Sequence, residues 1–128
     1  MVSLLVDSEL LEVQLAPLER RLALRKDPLR IPRAAIARVQ LTDDPFTWIR
    51  GVRAPGTHVP NRLAYGTWKS VFGDDFLAVR PGRPGVVIDL ADGEEFQRVV
   101  LSTKHGLALA RALQRDEERE AGEVTELT

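Results

Sequence analysis

"RLAYGTWKSVFGDDFLAVRPGRPGVVIDLADGEEFQRVVLS", residues 62–102, decides the fold class of this 128-residue chain. Leu63, Tyr65 and Thr67 alternate with Ala64, Gly66 and Trp68, the two-residue period of a strand. "DFLAVR" (residues 75–80) and "GVVIDL" (85–90) are further strands on either side of "PGRPG", and "EFQRVVLS" (95–102) follows the Asp92-Gly93 turn signal. Each link is short enough for antiparallel neighbours, so the four segments predict a consecutive antiparallel meander.

The flanking regions extend this pattern. Val2 to Val6 is compatible with a strand, and Leu11, Val13 and Leu15 share one face of a second one. Pro17 and Glu19 suit the first turn of a short helix near residues 17–24, with Leu15, Leu18 and Leu22 at helical spacing. "PLRIP" (28–32) reads as a short edge strand between prolines. "AAIARVQLT" (34–42) reads as a strand whose core residues, Ile36 and Val39, are oddly spaced and so imply a bulge. Downstream, Ser102 or Thr103 caps a closing helix, and Gly106, Leu109, Ala110 and Leu113 form its apolar stripe. Six acids from Asp116 to Glu126 against Arg119 alone then predict an acidic, frayed tail over residues 117–128, which leaves one domain at 1–116.

Between the two halves lies "DDPFTWIRGVRAPGTHVPNR" (43–62). Asp44 is a good N-cap, Pro45 fits the first helical position, and Gly51 can end a helix. These signals predict a short helix over 45–50 with Phe46 and Ile49 on one side. Pro55-Gly56 and Pro60 predict an irregular crossing up to Arg62. Phe46, Trp48, Ile49, Val52, Val59 and Leu63 carry more apolar surface than a solvated loop exposes cheaply. The segment is therefore either a plug over the fold or a contact surface for a partner.

Charge and composition bound the function. The net charge is −1, but Arg20 to Lys69 holds eleven Lys/Arg and three acids (+8), leaving seven Lys/Arg and sixteen acids (−9) elsewhere. A basic half can steer an anionic partner. The chain has no cysteine, so it offers no disulfide and no thiolate site. No run of about 18 apolar residues is present, and the N-terminus lacks a signal-peptide pattern, so a cytoplasmic protein is expected. The two histidines, His58 and His105, sit in no catalytic or metal motif, and no phosphate-binding glycine loop occurs. These features imply no enzyme, no cofactor and no metal. Arg50, Arg53, Arg62 and Lys69 lie among Trp48, Tyr65 and Trp68, but a pI near 6.1 argues against nucleic acid.

The layout of seven or eight short strands closed by one C-terminal amphipathic helix resembles the bacterial pleckstrin-homology-like (PH-like) domains. "IPRAAIARVQL" resembles the run those domains place at their third and fourth strands. "VVLSTKHGLALARAL" resembles their last strand and closing helix. "DPFTWIRGVRAPGTHVPNRLAYGTW" and "DDFLAVRPGRPGVVIDL" are similar to a family of actinobacterial-type proteins with no established activity. The resemblance implies a mainly β, partly open barrel of two packed antiparallel sheets. It implies a scaffold that binds protein, peptide or lipid. Lipid-binding members concentrate basic residues between their first two strands, where this chain has Asp7, Glu9 and Glu12. A protein partner or self-association is thus the expectation, with Trp48, Arg50, Arg53, His58, Arg62 and Lys69 as contact residues. Binding of an anionic ligand or phospholipid head group through Arg50, Arg53, Arg62 and Lys69 is the alternative.

Overall fold

The computed structural model describes residues 2–60 and 62–113, so the acidic segment expected at 117–128 lies outside the described residues. The mainly β class is borne out, with nine strands among the described residues arranged in two sheets. Strands β1 (Ser3–Val6), β2 (Leu10–Gln14) and β3 (Leu29–Pro32) form an antiparallel sheet in that order. Helix α1 (Pro17–Ala23) joins the second and third. The larger sheet contains β4 (Ile36–Thr42), β5 (Val52–Val59), β6 (Leu63–Ser70), β7 (Gly73–Val79), β8 (Gly85–Leu90) and β9 (Arg98–Ser102). Its order is β4-β8-β9-β7-β6-β5.

That order corrects the meander. β9 inserts between β7 and β8, antiparallel to β8 and parallel to β7, so the larger sheet is mixed and not wholly antiparallel. The link from β7 to β8, residues 80–84, steps over one strand. It must cover two strand spacings, about 10 Å, which five residues reach easily. The three central strands share one property. Val99, Val100 and Leu101 of β9, Val86 to Ile88 of β8 and Phe76 to Val79 of β7 are all buried, and such runs are satisfied where both faces are covered. "PGRPG" contains two residues without an N–H and makes a poor hairpin for direct β7–β8 pairing. The link is held instead by Ser102, whose Oγ accepts from Arg80 N at 2.8 Å, and by Thr103 N donating to the Pro84 carbonyl.

The main core lies between the sheets. Leu11, Val13, Leu29 and Ile31 of the small sheet meet Tyr65, Phe76, Val86, Ile88, Val99 and Leu101 of the large one. Residues 106–113 form helix α2, which closes this core with Leu109 and Leu113, as the stripe predicts. Neither Ser102 nor Thr103 is the N-cap, because the first helical bond runs from Leu109 N to the His105 carbonyl; Thr103 Oγ1 accepts from His105 N at 3.1 Å in the turn before the helix. In α1 the expectation for Leu18 fails, since it is exposed, while Leu15 is buried and Leu22 partly so. The buried residues of that helix are Ala23, which joins the core, and Glu19. Its carboxylate reaches back to accept from Ala16 N at 3.0 Å and receives the Tyr65 hydroxyl at 3.1 Å. The bulge expected in β4 is present between Ile36 and Arg38.

Tyr65 gives a sharp pH reporter, because it is the only tyrosine in the chain. Burial, with the Glu19 carboxylate beside it, pushes the phenol well above its ordinary value near 10. A folded-state value raised above the unfolded one gives stability that is complete below pH ~10 and is lost as pH rises through the folded value. Phenolate absorbance is therefore expected to appear only as the protein unfolds in alkali. A reversible phenolate signal near pH 10 with unchanged circular dichroism would overturn this assignment.

Candidate functional site

The second face of the large sheet is covered as well, and this decides the fate of the puzzling 43–62 segment. Ala64, Trp68, Leu77, Val79, Val87 and Val100 form a separate buried cluster on that face, with Phe46, Trp48 and Ile49 packed against it. Residues 43–51 are thus a strap laid across the sheet. At its start Asp44 caps as expected, its Oδ1 accepting from Phe46 N at 3.2 Å. The helix expected over 45–50 is a 3-10 turn limited to Pro45–Trp48, and Ile49 is already extended. Gly51 is left-handed at φ +81°, but it turns the chain from strap into β5 and does not end the helix. A Cβ there would sit 2.2 Å from the Lys69 carbonyl oxygen. Gly85 serves the other end, since a Cβ on it would collide with the Leu101 carbonyl of β9 and lie 2.6 Å from Pro45 Cγ of the strap.

The expected irregular crossing after Gly51 is instead strand β5, eight residues long. Pro55 and Gly56 are absorbed by a register shift between Arg53 and Gly56. Such residues fit because β5 is an edge strand, where a missing N–H breaks no ladder.

A transverse row of charges runs under the strap. Registered pairs place Arg38 opposite Asp89, Asp89 opposite Arg98, Arg98 opposite Asp75, Asp75 opposite Trp68, and Trp68 opposite Arg53. Directly opposite residues share a face, so the row crosses all six strands on the strap side. Arg98 Nε donates to Asp89 at 2.7 Å, and the Arg98 guanidinium lies 5.3 Å from the Trp48 ring. Asp75 is only 1% exposed. Arg50 from the strap grips it twice, through Nε at 2.7 Å and Nη2 at 3.0 Å. The Asp75 carboxylate holds the Arg50 guanidinium above its ordinary range. Trp48 Nε1 donates to Thr42 Oγ1 at 3.0 Å, fixing the indole on the sheet.

The six residues singled out from the sequence therefore separate. Trp48 and Arg50 brace the strap, and His58 packs edge-on to Trp68 with ring centroids 5.5 Å apart. Arg53 and Lys69 are exposed at the end of the sheet where β5 begins and β6 ends. Arg62 stands at the opposite end of β6, roughly 20 Å from Lys69 at strand rise. The four cations of the anionic-ligand reading do not converge on one point.

Sequence reasoning missed the surface that Arg53 and Lys69 do flank. The β6–β7 hairpin ends in Val71 and Phe72, which are 95% and 65% exposed, and Val52 on the adjoining strand is 74% exposed. The Phe72 ring lies 4.7 Å from the Arg50 guanidinium. The signal lies in "KSVFGDD", where two apolar residues occupy a turn between polar neighbours. A groove of ≈ 480 Å³ also lies between β1 and α2, lined mainly by Val2, Leu4, Val6, Ala108, Leu109 and Ala112. Among the described residues no group of three or more His, Asp or Glu could hold a metal ion, and no helix is long and apolar enough to cross a membrane.

No family model matches the chain. No curated protein and no solved structure matches it.

Proposed function

We propose that this chain is a non-enzymatic binding domain, used in the manner of PH-like scaffolds, that recognises a protein partner through the β6–β7 apex. The observation that carries this reading is the exposure of Val71 and Phe72 beside Val52 on a fold that otherwise covers both faces of its main sheet. Soluble surfaces scatter apolar residues singly, whereas an apolar group with a charged rim marks a contact site. The rim here is basic. Lys69 and Arg53 are exposed and make no ion pair among the described residues, while Arg50 is already committed to Asp75. The partner surface is accordingly apolar at its centre and acidic at its edge. Dispersal of Arg50, Arg53, Arg62 and Lys69 weighs against a phosphate-type pocket, which needs converging donors.

A photoreactive benzoylphenylalanine at position 72 tests this in a lysate of the native host, with the same group at exposed Leu18 as the control. One discrete protein adduct is expected at position 72, absent from the control and lost when Lys69→Glu is added. Equal labelling at both positions overturns the reading. Flotation with vesicles rich in anionic lipid, dependent on Phe72 and Lys69, would reassign the apex to a membrane surface. Val71→Asp should change folding stability by no more than about 0.5 kcal/mol, because Val71 is 95% exposed and supports nothing in the core.

A further inference from the structure

We infer that the chain forms a two-fold symmetric dimer in which β4 of one copy pairs antiparallel with β4 of another, with Gln40 on the axis. This surface is separate from the β6–β7 apex and does not depend on it.

The argument begins with the four sheet edges. Unpaired edges invite strand addition, and proteins blunt them with prolines, charges, bulges or short length. β1 is four residues long. β3 is also four residues, carries Arg30 and ends in Pro32. β5 contains Pro55 and a register shift, and Thr57 ties it to α1 by donating to the Leu22 carbonyl at 2.8 Å. β4 has none of these defences beyond its first residues. After the bulge, Arg38 to Thr42 pair regularly with β8, and among the described residues β4 pairs with no other strand. Val39, Gln40, Leu41 and Thr42 present no proline and no charge.

The occupant follows from what the edge offers. Centring antiparallel pairing on Gln40 sets Val39 opposite the second copy's Leu41, Arg38 opposite its Thr42, and Gln40 opposite its counterpart. No like charges oppose one another, and each Arg38 keeps Asp89 as its neighbour within its own sheet. Leu41 is 51% exposed and Val39 half-buried, so the pairing covers apolar surface twice. Helix α2 reaches this rim at Gly106, where an added Cβ would lie 3.0 Å from Leu41 Cδ2. The edge is thus complementary to itself, which a two-fold contact requires. Pairing would join two six-stranded sheets into one continuous sheet.

The chain has no cysteine, so Gln40→Cys supplies a single reporter. Directly opposite residues of an antiparallel pair lie about 5 Å apart at Cα, within the span of a disulfide. Mild oxidation of the Gln40→Cys full chain is expected to give a disulfide-linked dimer much faster than the control Arg53→Cys on β5. Sedimentation of the parent chain should show a reversible dimer. Gln40→Lys, which sets two ammonium groups on the axis, should weaken it about tenfold or more at unchanged circular dichroism. A parent that stays monomeric at the highest attainable concentration overturns the proposal. So does a dimer whose Gln40→Cys form crosslinks no faster than the control, or one that tolerates Gln40→Lys. A dimer abolished by Phe72→Asp but not by Gln40→Lys would move self-association to the apex and also overturn it.

Discussion

Replacing Arg50 with alanine is expected to lower folding stability by about 3 kcal/mol, read as a fall in urea midpoint at unchanged slope. The cause is the partner left behind. Asp75 is 1% exposed, and among the described residues its side-chain partner is Arg50, which grips it twice. A buried carboxylate without its cation keeps the desolvation cost and loses the compensation. The expected loss sits at the low end for a broken buried pair because water reaches the Arg50 side, which is 24% exposed. Arg50→Lys should recover only part of the stability, since an ammonium cannot reproduce the planar two-point contact. The double replacement Arg50→Met with Asp75→Leu should be far less harmful than Arg50→Ala, because it removes both charges and keeps volume. If Arg50→Ala costs less than about 1 kcal/mol, the ion pair does not fasten the strap.

Replacing Trp68 with alanine should be at least as costly, about 3–5 kcal/mol. Trp68 is 2% exposed and lies at the centre of the strap-side cluster, packed with Leu77 and Val79 and edge-on to His58. Removing it opens a cavity under Trp48 and Ile49, the residues that hold the strap down. Trp48 then becomes the sole tryptophan, so its emission reports strap position directly. A red shift in native conditions is expected, together with faster amide exchange over residues 45–51. Intact core strands should keep slow exchange, which separates undocking of the strap from global loosening. Unchanged Trp48 emission would mean that the strap is held by Arg50 and Thr42 alone.

Local structure was legible wherever one chemical feature dictates one conformation. Asp44-Pro45 gave a capped turn, Thr103 marked the turn that leads into α2, and the odd spacing of Ile36 and Val39 signalled a bulge in β4. The alternation of Leu63 to Trp68 gave β6. Legibility ended where two structures satisfy the same local pattern. Val52 to Val59 reads as irregular because Pro55 and Gly56 forbid a central strand, and an edge strand with a register shift accepts both. The site was legible only as a list. Six residues in sequence order became two braces, one ring contact and three cations at two ends of a strand, because strand direction, invisible locally, sets those distances.

The sequence by itself determined a mainly β domain closed by an amphipathic helix, and a strap too apolar to remain in water. Hydrophobic period and turn chemistry act over a few residues, and those are physical forces that a linear reading can follow. Only the tertiary structure decided that β9 lies between β7 and β8, that Arg50 grips Asp75, and that Val71 and Phe72 are exposed. Each depends on which apolar faces meet across long stretches of chain. Burial on both faces gathers β7, β8 and β9 at the centre, the strap brings Arg50 over Asp75, and the hairpin apex leaves Val71 and Phe72 exposed among the described residues.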